Sequence, residues 1–267
     1  GRECWLRHGE TFTFVFAILA RFAPLEIRTT DTGRCAACSA GPCHGSHEGC
    51  VNCYACFQTA AFEYRQWNVR PYAVGLLVDT PTGASTMVFV VCMLATVTFD
   101  GFAETPGWYW VQDIVGAIPG VDLSPVGRAT ADAWAPAAVT TAGLLLFAAL
   151  FVAVYRSFGH LMSVATGANG SIGGELARLF VYSLVPIALA YHLAHYLSFL
   201  LIAGQLIIPL ASDPLGIGWN LFHTTHYRID IGIVNARFVW FLSIAAIVVG
   251  HIVAVYVAHV YAMRTFH

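Results

Sequence analysis

The chain of 267 residues is 58% hydrophobic and only 10% charged, where an average soluble protein carries roughly 25% charged residues. Its formal net charge of −2 excludes the basic surface that nucleic-acid binding needs. No GxSxG, HExxH, Walker loop or Gly-rich dinucleotide pattern supports the enzyme classes built on those motifs. What remains is an all-α, polytopic transmembrane helical bundle whose principal partner is the lipid bilayer.

The first ten residues, GRECWLRHGE, have no Met and no signal-peptide pattern. They read like the middle of a loop, so an N-terminal membrane half, or other membrane subunits, is expected as a partner. Residues 1–28 centre on TFTFVFAILARFAPL, which is apolar but too short to span. It is predicted to form an amphipathic helix lying along the interface. Residues 29–60 form a polar, Gly-rich loop holding six of the eight cysteines. Residues 61–267 are predicted to form the bundle, entered through EYRQWNVRPY, whose Arg and aromatic residues suit a headgroup boundary.

Four spans follow, at about Ala84–Ala103, Trp134–Tyr155, Leu179–Ser212 and Phe238–Met263, with an interfacial helix expected between the first two. The third run has no charged residue and exceeds the ~20 residues a bilayer needs. Pro186 is expected to kink it by removing one backbone hydrogen bond, and Gly204–Ser212 to fold back along the interface. All thirteen basic residues are Arg. Leaving Arg2 aside, Arg7, Arg21, Arg28, Arg34, Arg65, Arg70, Arg156, Arg178 and Arg264 fall on one side of these spans. Arg128, Arg228 and Arg237 fall on the other. The positive-inside rule then places the cysteine loop and the C-terminus in the cytoplasm.

The loop contains two CxxC pairs, Cys35/Cys38 and Cys53/Cys56, close to a zinc-ribbon pattern. Each tight turn aims two sulfurs at one point, and two turns complete a tetrahedron around zinc. Cys43, His44, His47 and Cys50 are candidates for a second site. An iron–sulfur cluster also takes four cysteines, and disulfides are the third chemistry open to an even set; a cytoplasmic location favours metal, because thiols there stay reduced. The absence of CxxCH argues against covalently attached haem.

Inside the spans, His192 and His195 lie one helical turn apart, with His251 and His259 on the fourth span and Asp100 near the end of the first. Intramembrane ionisable residues are functional-site candidates. Asp100, His195 and His251 are predicted ligands of a buried Zn, Cu or Fe ion with an open position. His192 and His259 would be supporting or relay groups. Two facing imidazoles suit a b-type haem equally well, a proton relay needs no metal, and hydrogen bonding within the bundle needs no function. His223, His226, Asp213 and Asp230 form a weaker cluster in the last loop.

FAILARFAPLE, the segment ending TVTFDGF, ELARLFVYSLVPIALAYHLAHYLSFLLIAGQ, the SDPLG after it, and the GH and AH of the fourth span resemble the C-terminal half of a bacterial integral-membrane family known as fenitrothion hydrolase. The resemblance covers most of residues 10–265, with 29–60 as the main departure. Asp100, His195, His251 and His259 match positions that the family pattern carries, while His223 and His226 do not. It implies a multi-pass protein of the bacterial inner membrane, preceded by an N-terminal membrane half. It also implies hydrolysis of an organophosphate ester, for which a metal-activated water is a reasonable mechanism. The alternatives are an electron-transfer subunit with haem b and an iron–sulfur cluster, and a transporter or accessory subunit.

Overall fold

The computed structural model describes residues 5, 10–31, 50–77, 82–119, 121, 123, 134–167 and 172–266. Cys35, Cys38, Cys43, His44 and His47 lie outside these residues. The chain divides into two compact units, Gly1–Thr80 and Pro81–His267.

In the first unit, α1 (Thr11–Leu19) starts where the Glu10 carboxylate accepts the Phe12 amide at 2.9 Å and the Thr13 amide and hydroxyl. These bonds satisfy N–H groups that have no partner within the helix. Phe12 and Phe16 stack on its exposed side at 6.5 Å. A 3₁₀ turn, Ala20–Phe22, then ends the helical stretch before Pro24.

From there the structure departs from the sequence reading. Leu25–Thr29 is a strand, β1, and it pairs antiparallel with β2 (Cys50–Val51) and β3 (Arg65–Val69) in the order β2-β1-β3. Residues 25–28 therefore belong to a sheet and not to the interfacial helix, and residues 61–77 fall in this first unit. The reason is local: LEIRT and RQWNV have the period-2 alternation of half-buried strands. A guanidinium holds the two ends together. Arg70 donates to the Ala23 and Ala20 carbonyls at 3.0 and 3.3 Å and pairs with the Glu26 carboxylate at 3.3 Å. Arg21 donates to the Gly75 carbonyl at 2.9 Å, and a Cβ on Gly75 would lie 2.6 Å from the Arg21 carbonyl oxygen. Between β2 and β3 runs a short helix, α2 (Tyr54–Thr59).

The second unit is helical: α3 (Ala84–Ala103), α4 (Pro106–Gly116), α5 (Trp134–Ala165), α6 (Gly173–Phe180), α7 (Val185–Ala203), α8 (Ile207–Ser212) and α9 (Ala236–Phe266). Four helical stretches are long and apolar enough to cross a membrane: α3, α5, the run Gly173–Ser212, and α9. Among the described residues the chain is thus nearly all-α, with four candidate spans and one small sheet.

α7 packs against α9 and α3, and α3 packs against α5, so the spans are neighbours in the order α9–α7–α3–α5. Small residues set this order, because helices in lipid gain from close approach and not from hydrophobicity. A Cβ on Gly250 of α9 would come within 2.5 Å of the Ala190 Cβ on α7. One helical stretch away, the Ser243 hydroxyl donates to the Ala194 carbonyl at 3.2 Å. On the other flank, Phe99 and Phe102 of α3 meet Phe147 of α5 at 5.7 and 5.8 Å. Trp108 of α4 packs edge-on against Phe99 at 5.2 Å. A 3₁₀ turn, Val181–Leu184, interrupts the helical run just before Pro186, which sits in the first turn of α7, where its missing N–H breaks no bond of that helix.

Candidate metal centre

The centre is built by one reversal of the chain. Cys50 lies on β2 opposite Thr29 of β1. Asn52 then takes the left-handed conformation, with φ 55°, which Asn tolerates better than most residues. Its amide donates to the Ile27 carbonyl at 2.8 Å, and its side-chain oxygen accepts the Ile27 amide at 3.2 Å. This two-way clamp turns the chain so that Cys53 becomes the N-cap of α2, and the first turn of that helix brings Cys56 to the same side.

Cys50, Cys53 and Cys56 place their sulfurs within 4.8 Å of one another, and among the described residues they form the one such group of three His, Cys, Asp or Glu ligands. Cys50 and Cys56 are buried and Cys53 is half-buried. Sequence spacing assigned Cys50 to a separate site with Cys43, His44 and His47. The structure puts it beside Cys53 and Cys56 instead.

Around the thiols the unit is braced by Arg65, which donates to the Ala60 and Gln58 carbonyls at 2.9 and 2.8 Å and lies over the Phe57 ring at 5.6 Å. Phe57 in turn meets Trp67 of β3 edge-on at 5.5 Å. The last turn of α2 is thereby tied to the sheet. Thiolates at this density suit a soft or borderline ion, and oxygen-loving Mg²⁺ and Ca²⁺ are disfavoured.

The predicted intramembrane ligands behave differently. Asp100, His195 and His251 are exposed on their helices and do not form a three-ligand group of this kind. Asp100 instead accepts a hydrogen bond from Tyr196 of α7. The His195 ring stands edge-on to Tyr196 at 4.8 Å, and His192 lies 6.1 Å from the same ring. Asp100, Tyr196 and the two histidines therefore make one contiguous polar cluster between α3 and α7. His192 and His251 each bond through Nδ1 to the carbonyl four residues back, Ala188 and Ile247, at 2.8 Å. A carbonyl only accepts, so in both bonds Nδ1 carries the hydrogen. His259 is exposed on α9.

Sequence reading passed over Tyr196. Its signal was present, since Tyr196 follows His195 directly and stands four residues after His192, on the same helix face. In the last loop, Asp213 and Asp230 spend their carboxylates on backbone amides, those of Ile217 and Gly218 and of Gly232. The loop is not helical at His223–His226, so the HxxH spacing does not present two imidazoles side by side.

These features define a class: a chain with four apolar helices able to cross a membrane and a small Cys-bearing unit able to hold a metal ion. No known family model, curated protein or solved structure matches the chain.

Proposed function

We propose that this is an integral-membrane metalloprotein in which Cys50, Cys53 and Cys56 contribute three thiolates to one zinc ion. The convergence of the sulfurs within 4.8 Å carries the reading. With Zn–S bonds of about 2.3 Å, a tetrahedral site has an edge of roughly 3.8 Å, which small side-chain rotations reach from the observed spacing. A four-iron cluster gives each cysteine its own iron and spreads the thiolates farther, which favours the single ion. The fourth ligand is drawn from Cys35, Cys38, Cys43, His44 or His47. Four protein ligands leave no open position, so the ion is structural. The unit faces the reducing cytoplasm of a bacterium, as the Arg distribution implies. Metal analysis and a visible spectrum of the purified protein test this. Colourless protein with stoichiometric zinc, lost in Cys53→Ser, is expected. A Soret band, iron–sulfide absorption or metal-free protein overturns it.

A second reading rests on the Asp100–Tyr196 contact. A phenol hydrogen-bonded to a carboxylate can pass a proton, the His195 ring stands beside that phenol, and the fenitrothion hydrolase resemblance carries Asp100 and His195. Under this reading the cluster serves as general acid and base in ester hydrolysis within the membrane. Turnover of a chromogenic organophosphate ester should fall at least tenfold in Asp100→Asn. Equal turnover in the variant, or none in the parent, removes the hydrolytic role.

A further inference from the structure

The connection between α8 and α9 opens with a stretch, Pro214–Phe222, that contains no charged residue. Leu215, Ile217, Leu221 and Phe222 are exposed by 67%, 61%, 58% and 65%, and Trp219 by 44%. The backbone is turned the other way. The Ile217 and Gly218 amides donate to the Asp213 carboxylate at 3.0 and 2.8 Å, and the Gly216 amide donates to the Asp213 carbonyl at 3.3 Å. The Leu221 amide reaches the Ser212 carbonyl at 3.1 Å, and the Phe222 amide reaches the Ser212 hydroxyl at 3.2 Å. Ser212 is itself fully buried. Gly216 and Gly218, with φ of 67° and 89°, make the reversals that allow this.

A loop in water shows the opposite pattern, with polar side chains outward and backbone groups solvated. Apolar side chains outward over amides that are largely bonded internally suit the boundary between headgroups and acyl chains, where water still reaches the remaining backbone groups. The flanking helices continue the same surface, with Ile207 of α8 exposed by 70% and Phe238 and Trp240 of α9 by 59% each. We propose that residues 214–222 form a tongue seated in the lipid interface, with Trp219 at headgroup level and Asp213 at its polar root. The occupant of this surface is phospholipid. The inference rests on the reading that the four apolar helices cross a bilayer.

The test uses the full chain reconstituted in phosphatidylcholine vesicles, with photoreactive benzoylphenylalanine replacing Phe222. A control replaces Leu145 on α5, which is exposed by 64%. Illumination and intact-mass analysis should show a gain of one phospholipid mass at both positions. A lipid adduct at 145 with none at 222 overturns the tongue while the membrane reading stands. A protein–protein adduct at 222 overturns it in favour of a partner. Adducts at neither position overturn the membrane reading and the tongue with it.

Discussion

The two units are held by different physics. The first is small, and its geometry depends on directional contacts: the carboxylate cap on α1, the Arg70 fork between Ala20, Ala23 and Glu26, the Asn52 clamp on Ile27, and three convergent thiols. Between its spans the second relies mainly on close approach of helices, at Gly250 against Ala190 and among Phe99, Phe102 and Phe147, and gathers its directional contacts in the last loop, around Gln205, Ser212 and Asp213. A unit too small to bury a large core needs ligands or staples. A bundle in lipid needs small residues and complementary surfaces. Damage to one kind of bonding should therefore leave the other unit standing.

The largest effect is expected from removing metal. Structural zinc in finger peptides contributes apparent binding energies of about 10–16 kcal/mol, which exceeds the stability of a unit this size. Strong chelation, or Cys56→Ser, should open residues 10–77 to protease while the helical circular dichroism of the bundle persists. Loss of both together would show that the units are not independent. Next is Arg70→Ala, which removes charged hydrogen bonds worth about 1.5–3 kcal/mol each. It should lower the unfolding midpoint of the first unit without changing that of the bundle.

The converse variant is Gly250→Leu, which overpacks the α7–α9 contact at a cost of about 1–3 kcal/mol. It should lower the thermal midpoint in detergent and leave metal content unchanged. The smallest effect concerns Glu10. The hydrogen bond from the Thr13 side chain, aided by the Phe12 and Thr13 amides, holds its carboxyl below its ordinary value of 4.5. A lowered acid stabilises the fold above its unfolded pKa and loses that contribution as pH falls through the folded one. Acidification should thus fray the start of α1 alone, seen as shifts of the Phe12 and Thr13 amide resonances. Glu10→Gln should abolish the pH response.

The bundle was the more legible of the two units. Its apolar runs are written directly in composition, and Ala84–Ala103 emerges with the boundaries read from the sequence. Strands β1 and β3 were hidden because five alternating residues beside an apolar helix and a headgroup-like segment carry little periodic signal on their own. The thiol group was half legible. CxxC at Cys53/Cys56 was visible, but Cys50 joins it only through the left-handed turn at Asn52, which spacing does not announce. Asp100 and His195 were expected as ligands of one ion. They meet through Tyr196, because sequence gives the depth of a residue along its helix and not the side chain that stands between two helices.

Helix length has a further consequence. α5 has 32 residues and its neighbour α3 has 20, or about 48 Å against about 30 Å at 1.5 Å per residue. The shorter helix matches a hydrocarbon layer of ~30 Å with no tilt. Confining the longer one would take a tilt of roughly 50°, outside the ~0–40° that spanning helices adopt. Phe99, close to the end of α3, meets Phe147 of α5, so most of the surplus falls at the Trp134 end of α5. In a hydrocarbon layer of that thickness α5 would be a mast that stands clear at its Trp134 end, beyond the reach of its partner α3.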